Sequence, residues 1–370
     1  MLRELRKQDK DTEIRFWVDR KFAPQAKGIL KSFDSTVRVD IISSGKFRRY
    51  NHVPMWRQLL WPSVVLPNML DGLKIIAGAI QSVAKLIVWR PDVVFTKGGF
   101  VCMPVGWAAH LLKIPLVIHD SDAHPGLTNR ILSRWADAIA TGAPLEYYSY
   151  PKERSRYVGI PISSDFKPVS EEQRRHEKAV WGLDIDKPLV VVTGGGLGAT
   201  RINNAVVAER QNLLSHASII LVSGQAQYEE LRALVPEDED GFQLHAFTTK
   251  MPSLLRAADV VVARAGATTI LELAALEMPT ILVPNARLTG GHQVKNAAVY
   301  AEKNAVVILD EDRMVEDASV LTQEVKTLLA NHQDASMMGR RFGAFARPDA
   351  ARDMAGMITD AAVAVKGPKN

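Results

Sequence analysis

The sequence has a single cysteine, no long uncharged apolar stretch and no acidic excess. The lone thiol, Cys102, excludes an intrachain disulfide and fits a reducing cytosol, and we expect it to be a small buried side chain. The nearest approach to a membrane-spanning segment, residues 61–80, is interrupted by two prolines, an aspartate and a lysine. The charged amino-terminal residues lack the apolar core of a secretory signal. We therefore expect a cytosolic protein that meets a membrane only at its surface.

Metal-ligand spacings such as His-Glu-x-x-His or Cys-x-x-Cys are also missing, so we expect no metal ion and no other cofactor. The 46 basic and 41 acidic residues give a formal net charge of +5. That charge suits a phosphate compound, a nucleic acid or an acidic membrane surface, and it equally fits a generally basic soluble protein. A length of 370 residues with 47% apolar side chains predicts two domains with substantial cores.

Short apolar runs alternate with helical patterns through most of the chain. In the second half the runs are continuous and β-branched, which is typical of parallel strands buried on both faces. The alternation predicts two doubly wound α/β domains whose strands point their carboxyl ends toward a shared cleft. Strands are predicted at 13–19, 37–43, 92–97, 115–120 and 138–143, and then at 189–193, 218–224, 242–247, 259–264, 280–284 and 305–310.

Residues 151–170 combine prolines, serines and charges and form the predicted linker between the domains. We expect an amino-terminal domain over 1–161, a carboxyl-terminal domain over 162–345, and a last helix over 346–370 that packs back on the first domain. Residues 2–8 look like the tail of a helix that leads into the first predicted strand. Because a doubly wound domain normally begins with a strand and a turn, we expect its first strand and glycine loop to be missing.

A glycine-rich turn joins a predicted strand to a predicted helix in "LVVVTGGGLGATRINNAV", residues 189–206. Gly195, Gly196 and Gly198 permit positive φ and close approach of a ligand to the backbone. The helix that follows offers free N–H groups to an anion. The pattern is neither a dinucleotide fingerprint nor a P-loop, so a purely connecting turn stays open as the alternative.

A carboxylate lies inside the apolar helix predicted from "RAGATTILELAAL", residues 264–276. Glutamate is rarely buried without a partner. Glu272 shares a helix face with Thr268, four residues earlier. The N–H groups of the preceding turn suit a diphosphate, and the carboxylate suits the two hydroxyls of a ribose. The alternative is that Glu272 faces solvent.

Two further segments carry polar side chains at predicted strand ends. In "TGGHQVKNA", residues 289–297, Gln293 and Asn296 share a helix face and suit neutral hydroxyls, whereas His292 alone would fit an ordinary surface position. In "IHDSDAHPGLTNR", residues 118–130, the polar cluster fits a metal site, a general base or ordinary turn chemistry. That cluster contains Asp120, Asp122 and His124.

Residues 48–70 combine tryptophans and aliphatic side chains with arginines. This mixture is typical of a surface that meets anionic lipid headgroups. A core helix and loop packed on the sheet is the alternative. The apolar side chains of the predicted membrane surface are Trp56, Leu59, Leu60, Trp61 and Val64.

The order of these motifs resembles the MurG family, the UDP-N-acetylglucosamine transferases that complete lipid II for peptidoglycan. The resemblance runs from about residue 13 to 345 through "GGFVCMP", "PLVIHD", "GLTNR", "VGIP", "GGGLGATRINN" and "GGHQVKNA", and is most specific over 259–297. It implies a GT-B fold and an inverting, metal-independent transfer to the 4-hydroxyl of lipid I. The implied partners are UDP-N-acetylglucosamine, a lipid-linked acceptor and the inner face of the cytoplasmic membrane, with no nucleic acid.

The resemblance also implies roles for individual residues. The donor set comprises Ser163, Gly195, Gly196, Gly198, Asn203, Phe247, Thr248, Met251, Arg264, Ala267, Thr268, Glu272, His292, Gln293 and Asn296, with Glu272 on the ribose and Phe247, Thr248 and Met251 around the uracil. The acceptor set comprises Gly98, Gly99, Phe100 and Asn129. Residues 48–70 overlap the family's membrane patch.

This sequence also departs from the family pattern. It lacks the opening strand and the "GGTGGH"-like loop, whose histidine is a favoured general base, so Asp120, Asp122 and His124 are the candidates that remain. The family usually has Glu-Gln-Asn at 120–122 and an arginine at the position of Ser163. A transferase for another lipid such as diacylglycerol, a UDP-sugar 2-epimerase and a truncated non-catalytic homologue stay open as alternatives.

Overall fold

The computed structural model describes residues 1–45, 61–196, 198–236, 239–287 and 291–366. The chain forms two compact units: unit 1 is Met1–Gly159 with Asp349–Asn370, and unit 2 is Ile160–Pro348. Across the described ranges, no helix combines the length and the apolar content that crossing a bilayer requires.

Unit 1 begins with a small parallel sheet of its own. Its elements are α1 (Leu2–Gln8), β1 (Arg15–Val18), α2 (Ala23–Phe33) and β2 (Arg38–Ile41). The strands pair in parallel, with Arg15 opposite Arg38. The Arg6 guanidinium of α1 donates a hydrogen bond to Asp34 at 3.0 Å, which ties α1 to the end of α2.

The larger sheet of unit 1 has four parallel strands in the order β3-β4-β5-β6. Its elements are α3 (Pro62–Val88), β3 (Val94–Thr96), α4 (Cys102–Leu111), β4 (Leu116–Asp120), α5 (Leu127–Leu132), β5 (Ala138–Thr141) and β6 (Ser155–Tyr157). β6 lies within the predicted linker. The sequence did not predict it because an edge strand of Ser-Arg-Tyr lacks an apolar run.

Unit 2 is a six-stranded parallel sheet with helices between its strands. Its elements are α6 (Glu171–Val180), β7 (Leu189–Thr193), α7 (Thr200–Ala208), α8 (Arg210–Leu214), β8 (Ser218–Val222), α9 (Tyr228–Arg232), β9 (Phe242–His245), α10 (Met251–Ala257), β10 (Val260–Ala263), α11 (Ala267–Ala275), β11 (Thr280–Leu282), α12 (His292–Ala301), β12 (Val307–Ile308), α13 (Glu311–Glu316), α14 (Ser319–Ala330) and α15 (His332–Gly343). Every residue of β7, β8 and β10 is buried, as continuous apolar runs predict.

The strand order of unit 2 reverses between two central strands. The order is β12-β11-β10-β7-β8-β9, so the chain leaves β7 in one direction and returns to β10 on its other side. Thr193 and Ala263 are paired at the carboxyl ends of these strands. Ligands of doubly wound sheets bind outside the carboxyl ends at such a reversal. The loops after β7 and β10 therefore lie where a ligand is expected.

The last helix, α16 (Ala350–Lys366), belongs to unit 1. Met354 and Ile358 of α16 lie in one buried cluster with Val117 of β4 and Ala140 of β5. Met1 and Leu5, at the start of the chain, pack against the same cluster. Unit 1 is therefore discontinuous in sequence, because its core includes both ends of the chain.

Candidate functional site

The turn between β7 and α7 brings the backbone close to the loop after β8. Gly195 and Gly198 have φ of +75° and +77°. A Cβ on Gly198 would lie 2.2 Å from the carbonyl oxygen of Ser223. Both the left-handed backbone and the close approach therefore require glycine at position 198. The Gly195 N–H donates to Thr193 Oγ1 at 3.2 Å, which folds the turn back over the end of β7.

Asn203 holds this glycine turn from below. Its side chain is fully buried in α7. Nδ2 donates to the carbonyl oxygen of Ser223 at 2.9 Å and to Gln227 Oε1 at 2.8 Å. Asn203 therefore joins the start of α7 to the loop after β8, and its side chain is bonded within the protein.

Glu272 lies in the second turn of α11, which begins directly after the loop that follows β10. The first N–H groups of α11, around Ala267 and Thr268, have no partner within the helix. The Glu272 side chain is partly buried, and no described residue donates a hydrogen bond to its carboxylate. Burial raises the pKa of this carboxyl to about 7. A desolvated, unpaired acid is costly, which is typical of a group that binds a ligand.

The start of α12 contributes amides to the same sheet edge. Gln293 Oε1 accepts a hydrogen bond from the Asn285 N–H at 2.9 Å. Asn296 is buried, and its Nδ2 donates to the Ala265 carbonyl at 3.3 Å. Asn296 thus fixes the turn after β10. His292 begins the helix after Gly291, which has a φ of +59°.

Arg264 follows β10 directly and is buried. Its Nη1 donates to the Val283 carbonyl at 3.0 Å, and its Nη2 pairs with the Glu311 carboxylate. Both terminal nitrogens are therefore engaged within the protein. Sequence reasoning named Arg264 but missed Glu311, because an acid 47 residues away gives no local signal.

The remaining predicted donor residues lie around β9 and at the start of unit 2. Phe247, just after β9, is 62% exposed, as an open aromatic face for a base would be. Thr248 Oγ1 accepts from the Lys250 N–H at 3.0 Å, and Met251 begins α10. Ser163 hydrogen-bonds locally, since its Oγ donates to Asp165 Oδ2 at 2.9 Å.

In unit 1 the carboxyl end of β4 carries a buried acid. Asp120 accepts a hydrogen bond from the Tyr150 hydroxyl at 2.7 Å. Burial raises the pKa of Asp120 to about 6, although the hydrogen bonds from Tyr150 and Asn129 oppose that rise. Burial and the neighbouring Asp120 raise the pKa of Tyr150, so its phenol stays protonated and donates. Asp122 and His124 lie partly buried on the same loop.

A pair of stacked tyrosines holds this loop. The rings of Tyr148 and Tyr150 lie 5.6 Å apart between centroids. The Tyr148 hydroxyl donates to the carbonyl of Asp122 at 2.6 Å. Sequence reasoning missed both tyrosines. Their spacing of two residues in an extended segment, which puts both rings on one side, is the signal that could have found them.

The predicted acceptor residues meet at the ends of β3 and β4. Gly98 has a φ of +80°, and a Cβ there would lie 2.4 Å from Asn129 Nδ2. Asn129 is buried, and its Nδ2 donates to the His119 carbonyl at 3.1 Å. Its side-chain oxygen is buried and has no hydrogen-bond partner among the described residues. Gly99 and Phe100 follow in the same turn.

His119 is neutral and has a structural role. Its Nε2 lies 2.9 Å from the Gly159 carbonyl. Burial, together with the charge of Lys97, lowers the pKa of His119 to about 4. A neutral imidazole with Nε2–H therefore donates to that carbonyl. Nowhere in the described ranges do three histidine, cysteine, aspartate or glutamate side chains gather as metal ligands would.

The predicted membrane surface coincides only in part with the exposed apolar side chains. Trp56, Leu59 and Leu60 lie outside the described residues. Trp61 is 43% exposed, whereas Val64 is buried, so the prediction that Val64 belongs to an exposed membrane surface is wrong. One face of α3, which we call the α3 stripe, is 59% to 66% exposed at Leu66, Met69, Leu70, Leu73, Ile76, Ile80 and Ile87.

The two parallel α/β units, with glycine turns and polar side chains at their strand ends, match the two domains of a glycosyltransferase family. Residues 35–141 match the glycosyltransferase family 28 N-terminal domain, and residues 189–354 match the family 28 C-terminal domain. The crystal structure of MurG from Acinetobacter baumannii has the same fold, with a TM-score of 0.71, 24% identity and coverage of 96% of this chain and 94% of that chain.

Two curated relatives carry the name UDP-N-acetylglucosamine–N-acetylmuramyl-(pentapeptide) pyrophosphoryl-undecaprenol N-acetylglucosamine transferase. The relative from Bacillus pumilus is 32% identical over 287 residues, which cover 77% of this chain and 78% of the relative. The relative from Listeria welshimeri is 36% identical over 287 residues, which cover 75% and 78%. The chain therefore belongs to glycosyltransferase family 28 and, within it, to the MurG family that its motifs predicted.

Glu272→Gln is expected to stabilise the ligand-free protein above about pH 7. Burial raises the pKa of Glu272 from 4.5 to about 7. Between pH 4.5 and about 7 the folded state therefore retains a proton on Glu272 that the unfolded state has lost. The free energy of unfolding falls as the pH rises through this range. Removing the acid should raise the free energy of unfolding at pH 8 by roughly 1–3 kcal/mol.

Chemical denaturation at pH 5 and pH 8 measures this change. Glu229→Gln, an exposed acid on α9, is the matched control. If both variants changed the pH dependence of unfolding equally, Glu272 would not be the desolvated group described above.

Proposed function

We propose that this chain transfers N-acetylglucosamine from UDP-N-acetylglucosamine to the 4-hydroxyl of a lipid-linked N-acetylmuramyl-pentapeptide, with inversion at the sugar's C1. Membership of the MurG family supports the proposal, since the curated relatives are named for this transfer. The observation that carries it is the partly buried Glu272 carboxylate, which has no partner among the described residues and follows the strand reversal of unit 2.

The chemistry of Glu272 suits a ribose. A diol presents two adjacent hydroxyl donors, and a carboxylate accepts from both at once. Such bonds favour the ionised form and therefore lower the pKa of a carboxyl that burial has raised. β7 and β10 are paired at their carboxyl ends, so α7 and α11 begin at the same edge of the sheet, and their free N–H groups suit the diphosphate. Phe247 and Gln293 then suit the uracil and the sugar hydroxyls.

Among the three candidate bases we propose Asp120 as the general base. It ends β4, next to the unsatisfied oxygen of Asn129 and the turn at Gly98. A pKa of about 6 leaves Asp120 mostly ionised at neutral pH yet basic enough to take a proton. In one displacement, the acceptor hydroxyl loses its proton to Asp120 and attacks C1, and UDP leaves with its charge stabilised by helix N-termini.

The α3 stripe supports peripheral binding to the inner face of the bacterial cytoplasmic membrane. Most of its apolar side chains lie three or four residues from another member of the stripe, which gives α3 one exposed apolar face. A helix of this kind lies in the plane of the membrane interface. The net charge of +5 adds attraction to anionic lipids. A lipid-linked acceptor would reach the protein at that surface.

Glu272→Ala should weaken UDP and UDP-N-acetylglucosamine binding by about 3 kcal/mol or more, because two charged hydrogen bonds of roughly 1.5–3 kcal/mol each are lost. Isothermal titration calorimetry measures the affinities. Wild type should prefer UDP to 2′-deoxy-UDP, and the variant should bind both alike. UDP-glucose and UDP-galactose as competitors test the choice of sugar. Unchanged donor affinity in Glu272→Ala would refute the assignment, and Glu229→Gln serves as control.

Asp120→Asn should lower kcat about 10²- to 10⁴-fold and leave donor affinity unchanged. In wild type, kcat should rise with pH through about 6 as Asp120 ionises, and this limb should vanish in the variant. Product analysis with a lipid-linked acceptor gives the rates and excludes epimerisation of the sugar. Asp122→Asn and His124→Gln are the comparison variants. Loss of the acidic limb in either of them instead would move the base to that residue.

Leu73→Glu combined with Ile76→Glu should reduce binding to vesicles of phosphatidylglycerol and phosphatidylcholine by about tenfold or more, since two apolar side chains no longer enter the interface. Vesicle sedimentation measures the bound fraction. Leu234→Glu, which changes a 60% exposed leucine of unit 2, is the control. Equal binding of all three proteins would exclude the α3 stripe as the membrane surface.

A further inference from the structure

We infer that Glu311 and Asp312 are positioning residues of the donor site. They open α13, in the loop after β12, and they form ion pairs with three arginines from three other strand-end loops. We call these five residues the α13 network. The inference rests on the proposed donor site, and it adds residues that sit behind that site and do not touch the ligand.

The contacts of the α13 network connect its members in a chain. Glu311 pairs with Arg264 Nη2 and lies 3.6 Å from Arg201 Nη1. Asp312 Oδ1 accepts from Arg201 Nη1 at 2.6 Å and from Arg287 Nη2 at 3.3 Å. The hydrogen bond from Arg201 is the largest cause of the lowered pKa of Asp312. Arg201 therefore bridges the two carboxylates.

Each arginine lies in a strand-to-helix connection, or in the first turn of the helix that follows it, close in sequence to residues of the proposed donor site. Arg201 is in the first turn of α7, directly after the glycine turn. Arg264 separates β10 from the turn that opens α11 and Glu272. Arg287 lies between β11 and α12, two residues from Asn285, whose N–H bonds to Gln293. One pair of acids thus fixes the loops after β7, β10 and β11 relative to one another.

Burial and charge differ between the two acids. Glu311 and Arg264 are 5% and 8% exposed, so loss of either charge leaves the other buried without compensation. The Asp312 side chain is 64% exposed, so its loss should disturb the loops without unfolding the unit. Without Asp312, Arg201 and Arg287 lose the carboxylate that both contact, so the start of α7 and the loop before α12 are no longer fixed to each other. A network that only stabilised the fold would change stability and leave ligand affinity intact.

The experiment compares Asp312→Asn with Glu316→Gln, an exposed acid on the same helix. Calorimetric titration gives the Kd for UDP and for UDP-N-acetylglucosamine, and thermal unfolding gives Tm. Asp312→Asn should raise both Kd values about tenfold, a change within the range of coupling energies between contacting residues. Its Tm should be unchanged. Glu316→Gln should match wild type in both. Glu311→Gln should raise Kd at least as much and should also lower Tm.

A double-mutant cycle with Arg201→Gln tests whether the effect passes through the network. In the Arg201→Gln background, Asp312→Asn should add less loss than it causes in wild type, because of the two arginine contacts of Asp312 only the one with Arg287 remains. Full additivity, or an Asp312→Asn protein with wild-type Kd, would overturn the inference while leaving the proposed function intact. A Glu311→Gln protein with lowered Tm and wild-type Kd would also overturn it. Failure of the wild-type protein to bind either nucleotide would overturn both proposals.

Discussion

The proposed donor site of unit 2 depends on one unfavourable arrangement, a carboxylate held partly out of water with no donor among the described residues. Burial raises the pKa of Glu272 to about 7. The surrounding sheet can tolerate this because β7, β8 and β10 are wholly buried. The reversal of strand order between β7 and β10 places the acid beside a glycine turn. In the proposed function, the ribose hydroxyls and the diphosphate of the donor would satisfy both features at once.

Support for this site comes from polar side chains that are bonded to the protein itself. Asn203, Asn296 and Arg264 are buried and tie one strand-end loop to the next. Their hydrogen bonds fix the strand-end backbone, and bonds of this kind hold a preorganised site in place. Unit 1 uses the same principle at β4, where Tyr150 and Asn129 fix Asp120. Residues that look like ligand contacts in the sequence can therefore act from behind the contact surface.

The sequence predicted the fold well because period and composition report on burial. The predicted strands of unit 2 correspond to β7 through β12, and the two-domain α/β fold is confirmed. The features that the sequence did not predict share a physical cause, because each depends on residues that are distant along the chain. β6 has no apolar run, Val64 sits in an apolar pattern that does not distinguish core from surface, and Glu311 acts on Arg264 across 47 residues. Such pairings arise only when the chain folds.

The most direct test is to measure the pKa of Glu272 with and without UDP, by carbon-13 NMR of its side-chain carboxyl. The ligand-free protein should titrate near 7, because burial disfavours the charge. Saturating UDP should lower the pKa by more than about one unit, because the ribose hydroxyls donate to the ionised form. A pKa that stayed near 7 in the UDP complex would show that the acid does not bind the ribose, and it would contradict the central claim.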